Sequence, residues 1–316
     1  MKALVIDASL RIVETSRPRR RRGEALVRVT MAGVCNTDLE LLQGYMGFRG
    51  IPGHEFVGVV EEADQEGLIG KRVVGEINCV CGACAHCRRG MPRHCTERTV
   101  LGILNRDGAF AEYLVLPEKN LHTVPENIED EAAVFVEPIA AAFRIPEQIP
   151  VSKSDRIAVL GDGKLGQLIA RVLALCSNHV LCICKHAWKR ALLRDAGIDT
   201  ASTEDAVEPG FDIVVEATGS PHGLARALEL VRPEGTVVLK TTSADGAPLN
   251  LSLPVVVNEV RIVGSRCGPF VPAIDALARE LIDVAPLITD RFSLADGVRA
   301  LERAAEPEAM KVLVTM

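Results

Sequence analysis

Four cysteines lie within one short segment of the chain, CGACAHCRRGMPRHC. They are Cys81, Cys84, Cys87 and Cys95, and their spacing is C-x2-C-x2-C-x7-C. A tight loop with such short spacers can bring four thiolates around one zinc ion without a scaffold of regular structure. The alternative is a cluster of buried or disulfide-bonded cysteines. We favour the metal site, and because four thiolates leave no open coordination position, we predict that this zinc is structural.

The size and charge of the chain indicate the class of protein to which it belongs. Its 316 residues suggest about two domains with a large core. Hydrophobic residues make up 48% and aromatic residues only 3%, which favours an enzyme over a disordered or fibrous protein. The net charge of −6 argues against nucleic acid as the main partner. We interpret the basic run RPRRRR at 17–22 as a solvated turn, with a nucleic-acid or targeting patch as the alternative.

The first residues and the cysteine content indicate the cellular compartment in which the protein is expected. The segment MKALVIDASLR reaches Asp7 after four apolar residues, so we expect no signal-peptide core. No apolar stretch approaches the ~20 residues that a membrane helix needs. Ten cysteines without a secretion signal favour metal binding in a reducing compartment over a disulfide framework. We therefore predict a cytoplasmic protein without membrane contact.

The pattern of secondary structure changes near residue 155. The first 140 residues contain short strands broken by glycines, which predicts an antiparallel β domain. From Asp155 strands alternate with helices, which predicts a parallel sheet. The tail from Pro272 is expected to be helical before a last strand, Lys311–Thr315. The other predicted strands are Lys2–Ile6, Glu24–Ala32, Glu55–Glu61, Arg72–Gly75, Ala111–Leu116, Arg156–Leu160, Val180–Cys184, Asp212–Glu216, Thr236–Lys240 and Arg261–Gly264.

A glycine-rich turn, GDGKLG, follows one of these strands and opens a predicted helix. Its glycines permit a tight turn and the close approach of a pyrophosphate, whose charge the helix amino terminus stabilises. The motif is weak by itself, but the strand–turn–helix context predicts dinucleotide binding. The residues of the turn are Gly161, Asp162, Gly163, Lys164, Leu165 and Gly166.

The end of the next strand bears on the choice of cofactor. An acidic residue usually stands there, about 20 residues after the turn, and bonds the ribose 2′-hydroxyl of NAD. This chain has Cys184-Lys185-His186 instead, with Lys189 and Arg190 one turn later. An uncharged residue followed by cations suits the 2′-phosphate of NADP(H), although basic residues can also merely decorate an exposed helix start. We predict that NADP(H) is favoured over NAD(H).

Several metal-binding side chains lie outside the cysteine segment. They are Cys35 in GVCNTD, His54 and Glu55 in PGHEF, and Glu137 in FVEPIA. A catalytic zinc takes three protein ligands and keeps a fourth position for water or substrate. Each residue alone has an ordinary interpretation as a buried thiol, a core histidine or a surface carboxylate. Together they predict an open zinc site.

These motifs resemble, in order and spacing, those of the zinc-dependent medium-chain dehydrogenases/reductases, the family of alcohol, sorbitol, glucose and threonine dehydrogenases. The resemblance runs from Met1 to the closing motifs PLITD and MKVLV. It implies an α/β protein with a GroES-like, β-rich catalytic domain and a Rossmann domain built on a doubly wound parallel sheet. The implied catalytic domain comprises residues 1–138 and 267–316, and the implied dinucleotide-binding domain comprises residues 139–266.

The resemblance also implies two zinc ions per chain, one catalytic and one structural. Cys35 and His54 match the first two catalytic ligands of the family. Glu137 stands where alcohol dehydrogenases carry a cysteine and where polyol and sugar dehydrogenases carry a glutamate. Glu55 matches an acidic neighbour that either binds the zinc or lies close to it. Which of the two glutamates completes the site stays open at this point.

Further roles follow from the same resemblance. Thr37 matches the hydroxyl that bonds the substrate oxygen, and Glu40 stands where the proton relay of the family often has a histidine. Glu40 either passes the proton onward or faces water. Arg266 lies where the chain of the family crosses near the cofactor, and Thr218 and Gly219 complete the predicted cofactor-binding set.

The implied activity is zinc-assisted hydride transfer between NADP(H) or NAD(H) and an alcohol, a polyol or the corresponding carbonyl compound. Tyr45, Met46 and Phe48 are predicted to line the substrate site. The expected partners are a small-molecule substrate and further copies of the chain, as a homodimer or homotetramer. The alternatives are a zinc-free quinone or enone reductase and a non-catalytic zinc protein that senses nucleotides.

Overall fold

The structure, a computed structural model, describes residues 1–241 and 252–316. The chain divides into two compact units. The first comprises Met1–Glu137, Ile274–Glu280 and Val284–Met316, and the second comprises Pro138–Ala273 and Leu281–Asp283. The junctions expected from the sequence stand at residues 138 and 267, so the second unit extends further along the chain than the sequence predicts.

The strands are named in chain order. They are β1 (Lys2–Ile6), β2 (Leu10–Glu14), β3 (Glu24–Gly33), β4 (Glu55–Glu62), β5 (Arg72–Gly75), β6 (Asn78–Cys79), β7 (Thr99–Val100), β8 (Tyr113–Pro117), β9 (Leu121–Thr123), β10 (Arg156–Leu160), β11 (His179–Cys184), β12 (Asp199–Ser202), β13 (Phe211–Glu216), β14 (Val231–Leu239), β15 (Arg261–Gly264), β16 (Ile288–Ser293) and β17 (Lys311–Thr315).

The helices follow the same convention. They are α1 (Asn36–Leu42), α2 (Ala85–Arg88), α3 (Asp130–Ala133), α4 (Val136–Gln148), α5 (Lys164–Cys176), α6 (Ala187–Asp195), α7 (Gly223–Leu230), α8 (Phe270–Ala278) and α9 (Gly297–Ala304). Single 3₁₀ turns and one π-helical turn, Ser252–Val257, connect some of them. Within 1–241 and 252–316, none of the helices has the length and apolar character of a membrane span.

The main sheet of the first unit has the strand order β16-β17-β3-β4-β5-β9, and β8 also pairs with β3. Its pairs are antiparallel except for β16 and β17. β3 is buried along most of its length because it has partners on both sides, and Ala25, Val27 and Ala32 are fully buried there. The predicted antiparallel β domain is therefore confirmed.

One part of the prediction for this unit was wrong. The tail after Pro272 was expected to be helical up to the last strand, yet Ile288–Ser293 forms β16. This segment pairs with β17 in parallel, and its side chains alternate in exposure at its end as Arg291, Phe292 and Ser293. Pairing with a distant strand therefore decides the conformation of a segment that has no strong local preference.

The second unit is built on a six-stranded parallel sheet with the order β12-β11-β10-β13-β14-β15. Ile157, Ala158, Val159 and Leu160 of β10 are all buried, as expected for a parallel strand that is covered on both faces. The chain runs outward from β10 in one direction and then returns to continue from β13 in the other. This reversal is the position at which such sheets bind ligands, and the predicted Rossmann fold is confirmed.

The basic run lies in the first unit, before β3. Residues 15–21 have no regular secondary structure. Arg17 is paired with Glu61, and Arg20 with Asp64 at 2.6 Å. The run is thus a solvated turn with ion pairs to the neighbouring strand region, in agreement with the prediction.

Candidate active site

The four cysteines of the segment 81–95 converge in space. Their Sγ atoms all lie within 4.8 Å of one another. The Sγ atoms of Cys81 and Cys95 are 3.5 Å apart, far beyond the ~2.05 Å of a disulfide bond. Cys81 Sγ accepts the backbone N–H groups of Ala83 and Cys84 at 3.4 and 3.3 Å. The geometry therefore matches a four-thiolate zinc site rather than a disulfide pair.

The ionisation of these thiols also fits a cation. Backbone N–H groups of Cys87 and Thr96 lower the pKa of Cys84 to about 5, and those of Ala83 and Cys84 lower the pKa of Cys81. Desolvation and the neighbouring Cys84 raise the pKa of Cys87 to about 12. The thiols therefore resist ionising together unless a positive charge lies among them.

A second group of ligand atoms belongs to Cys35, His54 and Glu55, and these atoms also lie within 4.8 Å of one another. β3 and β4 bring them together. The two strands are antiparallel neighbours in which Gly33 pairs with Glu55, so the residues that follow β3 lie beside those that begin β4. One thiolate, one imidazole and one carboxylate form a donor set suited to zinc with an open position.

Asp38, on α1, holds this group in place. Its side chain is fully buried and accepts the backbone N–H groups of Cys35 at 2.9 Å and Gly53 at 3.1 Å. Its Oδ1 also lies 3.4 Å from Nδ1 of His54, which leaves Nε2 as the nitrogen available to a metal. Sequence reasoning missed Asp38. The signal was its place at the third position of a helix, where a carboxylate can reach back to the residue before the helix.

The charge around His54 favours a cation as well. Burial lowers the pKa of His54, but the negative charges of Asp38 and Cys35 outweigh burial and raise the pKa well above its ordinary range. Nδ1 of His54 is buried and makes no hydrogen bond of good geometry. The imidazole therefore lies in a site that stabilises positive charge, whether as a proton or as a metal ion.

Glu55 forms a buried ion pair with Lys311 of β17. The side chains are 1% and 2% exposed, and Nζ of Lys311 donates to Oε2 of Glu55. Nζ also lies 5.1 Å from the centre of the Phe135 ring. A Cβ on Gly33 would approach Oε2 to 2.7 Å, so the pair needs glycine at this position. Sequence reasoning missed Lys311, although a lysine within an apolar strand is a signal that a buried partner exists.

The remaining predicted catalytic residues differ in how close they lie to this group. Thr37 is half-buried, and its Oγ1 lies 3.8 Å from Sγ of Cys35. Glu40 lies exposed on α1. Glu137 is half-buried in the first turn of α4 and does not belong to the group of atoms within 4.8 Å. The structure thus brings together Cys35, Thr37, His54 and Glu55, while the metal-binding role of Glu137 stays a prediction.

The glycine-rich turn connects β10 to α5. Gly161 has a φ of +110°, and a Cβ there would approach the carbonyl oxygen of Ala217 to 2.8 Å. A Cβ on Gly166 would lie 2.1 Å from the carbonyl oxygen of Gly161, whereas a Cβ on Gly163 would meet nothing within 4 Å. The first and third glycines therefore permit the turn and its packing, and the second leaves open space where a pyrophosphate fits.

The other predicted nucleotide residues lie near this turn or at the ends of neighbouring strands. Lys164 and Leu165 begin α5 and are half-buried. Lys185 is exposed after β11, and His186 is half-buried beside Asp162. Lys189 is only 8% exposed and lies over the ring of Trp188, with Nζ at 5.2 Å from the ring centre. Lys185 and His186 are therefore more accessible than Lys189.

A buried carboxylate at the end of β13 organises the neighbouring loop. Glu216 accepts the backbone N–H of Thr218 at 2.7 Å and the hydroxyl of Thr241 at 2.5 Å. Thr241 in turn accepts the N–H of Gly219 at 3.0 Å. Arg266 is exposed, and its carbonyl oxygen accepts from the side chain of Lys240 at 2.8 Å. Sequence reasoning missed Glu216. The signal for it was an acidic residue at the end of an apolar strand, in the segment IVVEATG.

Comparison with known proteins identifies the family. The model of the alcohol dehydrogenase GroES-like domain matches residues 21–126, and that of the zinc-binding dehydrogenases matches residues 165–283. The starvation-sensing protein RspB of Escherichia coli K12 is 30% identical, with 100% of this chain and 99% of that protein covered. The erythritol/L-threitol dehydrogenase of Mycolicibacterium smegmatis is 29% identical, with 96% and 93% covered.

Solved structures agree with this assignment. The structure of rspB from Escherichia coli CFT073 in complex with NADH has a TM-score of 0.93 at 27% identity and covers 100% of this chain and 99% of its own. A zinc-binding dehydrogenase from Sinorhizobium meliloti 1021 bound to NADP has a TM-score of 0.92 at 28% identity, with the same coverage. The chain therefore belongs to the zinc-dependent medium-chain dehydrogenases, an oxidoreductase family, as its motifs predict.

Proposed function

We propose that the protein transfers a hydride between NADP(H) and a polyhydroxylated alcohol or the corresponding carbonyl compound. The observation that carries the proposal is the convergence of Cys35, His54 and Glu55 within 4.8 Å, with the Thr37 hydroxyl beside the Cys35 thiol. The proposal includes two zinc ions per chain, because the four-cysteine segment and this group are separate clusters.

The chain contributes binding, orientation and proton handling. Cys35 and Nε2 of His54 would hold a zinc ion, and Glu55 retains Oε1 for it because Lys311 binds Oε2. When bound, the zinc ion polarises the substrate oxygen and the nicotinamide ring accepts or supplies the hydride. Thr37 would accept the hydroxyl proton of an alcohol while its own hydroxyl proton passes outward, and the reverse movement would supply a proton to the oxygen of a carbonyl substrate. Glu40 is exposed three residues later and can pass that proton to water.

The polyol class of substrate is supported by a relative. The erythritol/L-threitol dehydrogenase acts on polyols, and it matches almost the whole chain. Tyr45 and Met46 are 44% and 47% exposed on the turn after α1, where they can contact a substrate. Phe48 is buried against Ile6 and Leu41 and is less accessible than Tyr45 and Met46, so its contact with a substrate stays a prediction.

The preference for NADP(H) is directly testable. Titration of the zinc-loaded protein with NADPH and NADH, followed by quenching of Trp188 fluorescence, is expected to give at least about tenfold tighter binding of NADPH. The reason is that Lys185 and His186 lie at the end of β11 and can form charge-assisted hydrogen bonds with a 2′-phosphate.

A matched variant separates specific recognition from general attraction. Lys185→Gln should weaken NADPH binding while NADH binding stays nearly unchanged. Equal affinity of the parent protein for the two nucleotides would contradict the NADP(H) preference and favour NAD(H). Failure to bind either nucleotide would contradict the dehydrogenase activity itself.

We also propose a homodimer formed along β15. β15 is the last strand of its sheet, and no strand in 1–241 or 252–316 pairs with its outer side. The adjoining turn exposes Leu253, Val256 and Val257 by 67–72%, and Ile262 of β15 is 36% exposed. An apolar sheet edge of this kind is suited to symmetric pairing with a second copy.

Light scattering after gel filtration tests this interface. We expect the mass of a dimer for the parent protein and the mass of a monomer for Ile262→Lys, which buries a charge in the paired edge. Thr200→Lys, on β12 at the opposite edge of the same sheet, should leave the dimer intact. A monomeric parent protein at micromolar concentration would exclude the interface. We also propose a cytoplasmic location, because cysteines that are free thiols rather than disulfides are typical of a reducing compartment.

A further inference from the structure

The second residue of the glycine-rich turn is a buried carboxylate that contacts the end of β11. Asp162 is 5% exposed, and its Oδ2 accepts the backbone N–H of His186 at 2.7 Å. Both carboxylate oxygens lie 3.2 Å from Nδ1 of the His186 ring. The His186 side chain is one-third exposed, at 33%, whereas that of Asp162 is 7% exposed. One edge of the imidazole is therefore fixed against Asp162, and the opposite edge, with Nε2, remains for a ligand.

This contact determines which nitrogen carries hydrogen. An ionised carboxylate can only accept hydrogen bonds, so Nδ1 of His186 must be the donor. In a neutral ring Nε2 then has a lone pair and accepts, and it becomes a donor only when the ring is protonated. A ribose 2′-hydroxyl can donate to the neutral ring. A 2′-phosphate, which offers only acceptors when fully ionised, requires the protonated ring.

On this basis we propose that Asp162 determines cofactor specificity through His186, so that NADP(H) binds with uptake of a proton at Nε2 and NAD(H) binds without it. The inference depends on the proposed function, because it places the adenosine ribose at the end of β11. One proton from solvent forms the Nε2–H bond. The resulting imidazolium lies between two anions, the Asp162 carboxylate and the 2′-phosphate.

The other charged groups near His186 do not explain such an uptake. Within residues 1–241 and 252–316, those on the adjoining elements are Lys185 before it, Lys189 and Arg190 on α6, and Glu204 and Asp205 in the turn after β12, where the N–H of Thr203 donates to the carbonyl oxygen of Cys184. Asp205 is occupied by the backbone N–H of Ser202 at 2.6 Å. Lysine and arginine side chains keep their charge near neutral pH. The 2′-phosphate has a second pKa of about 6 and releases protons when it enters a cationic site. Its contribution is therefore opposite in sign to the proposed proton uptake.

Calorimetry of the full-length, zinc-loaded protein measures the proton directly. The binding enthalpy of each nucleotide, NADPH or NADH, is recorded at about pH 7 in two buffers of different ionisation enthalpy. For each nucleotide, the difference between the two buffers gives the number of protons exchanged on binding. We expect net uptake, approaching about one proton, with NADPH and no uptake with NADH. His186→Gln should abolish the uptake. Lys185→Gln should weaken NADPH binding yet preserve the uptake.

The variant Asp162→Asn is expected to change the tautomer of the His186 ring while the ring keeps its position. The asparagine oxygen can still accept the backbone N–H of His186, while its amide donates to Nδ1, so Nε2 carries hydrogen in the neutral ring. NADPH should then bind with little or no uptake. Tight NADPH binding to the parent protein without proton uptake, or equal uptake in His186→Gln, would overturn the inference and leave the dehydrogenase function intact. Absence of binding by both nucleotides would contradict the proposed function and this inference with it.

Discussion

Replacing Cys35 with Ser is expected to lower turnover of an alcohol substrate by about 10³-fold or more, because zinc contributes several kcal/mol to transition-state stabilisation and each ~1.4 kcal/mol is a factor of ten. Cys35 is one of the three groups whose ligand atoms converge within 4.8 Å. The fold should persist, since Cys35 precedes α1 and serine is a favoured residue at that helix position. NADPH affinity should remain close to that of the parent protein.

The measurement is kcat/KM on a panel of polyols together with the zinc content per chain. The parent protein should contain two zinc ions and the variant about one. Cys176→Ser is the matched control, because Cys176 is also half-buried and belongs to neither zinc cluster among the residues that the structure describes. Retention of full turnover by Cys35→Ser would contradict the proposed mechanism.

Asp38→Asn provides a graded comparison at the same site. The amide keeps the volume of the carboxylate but loses the charge that orients His54, so zinc affinity should fall by roughly 10–100-fold. The loss of turnover should therefore be smaller than for Cys35→Ser, and added zinc should restore the turnover. An equal loss of turnover in both variants, with no recovery when zinc is added, would show that Asp38 stabilises the fold rather than the metal site.

In the zinc-free protein, Lys311→Met is expected to lower the free energy of unfolding by about 3–5 kcal/mol, because it leaves the Glu55 carboxylate charged and unpaired in the core. The two side chains are 2% and 1% exposed, so water cannot replace the lost partner. Methionine fills most of the space of the lysine stem, which limits the contribution of a cavity. Chemical denaturation of the parent protein and the variant, both after removal of zinc by chelation, measures the difference in the free energy of unfolding.

An exposed ion pair in the same unit is the matched control. Arg291 and Glu131 form a bidentate pair whose side chains are 54% and 37% exposed. Arg291→Met should cost less than about 1 kcal/mol, since solvent screens this pair. The double variant Glu55→Gln/Lys311→Met should recover a large part of the loss, because neither charge is then left unpaired. A loss in Lys311→Met no larger than in Arg291→Met would contradict the role of the buried pair.

Sequence and structure contributed differently to the two clusters of metal-binding side chains. The four cysteines of the segment 81–95 are close in the chain, and short spacers force their thiols together whatever the rest of the protein does. That cluster was therefore predictable in full. The second cluster combines Cys35 with His54 and Glu55. Their residue types suggested an open metal site together with Glu137, but the pairing of β3 with β4 decides which of these side chains meet.

The same distinction applies to the nucleotide site. The glycine turn is local: β10, the turn and α5 are consecutive, so the spacing of Gly161, Gly163 and Gly166 already describes its geometry. The contact of Asp162 with His186 was not predictable as a pair. It depends on the parallel register of β10 and β11, which brings the end of one strand beside the end of the next.

The sequence by itself determined the family, the four-cysteine cluster, and the change from an antiparallel to a parallel sheet, because these depend on short spacings and local periodicity. Only the tertiary structure decided that Lys311 neutralises Glu55 across 256 positions of the chain, and that β16 is a strand. Such contacts depend on which strands become neighbours and in which register. A local pattern of residues does not encode that choice, since long-range pairing can override local preference.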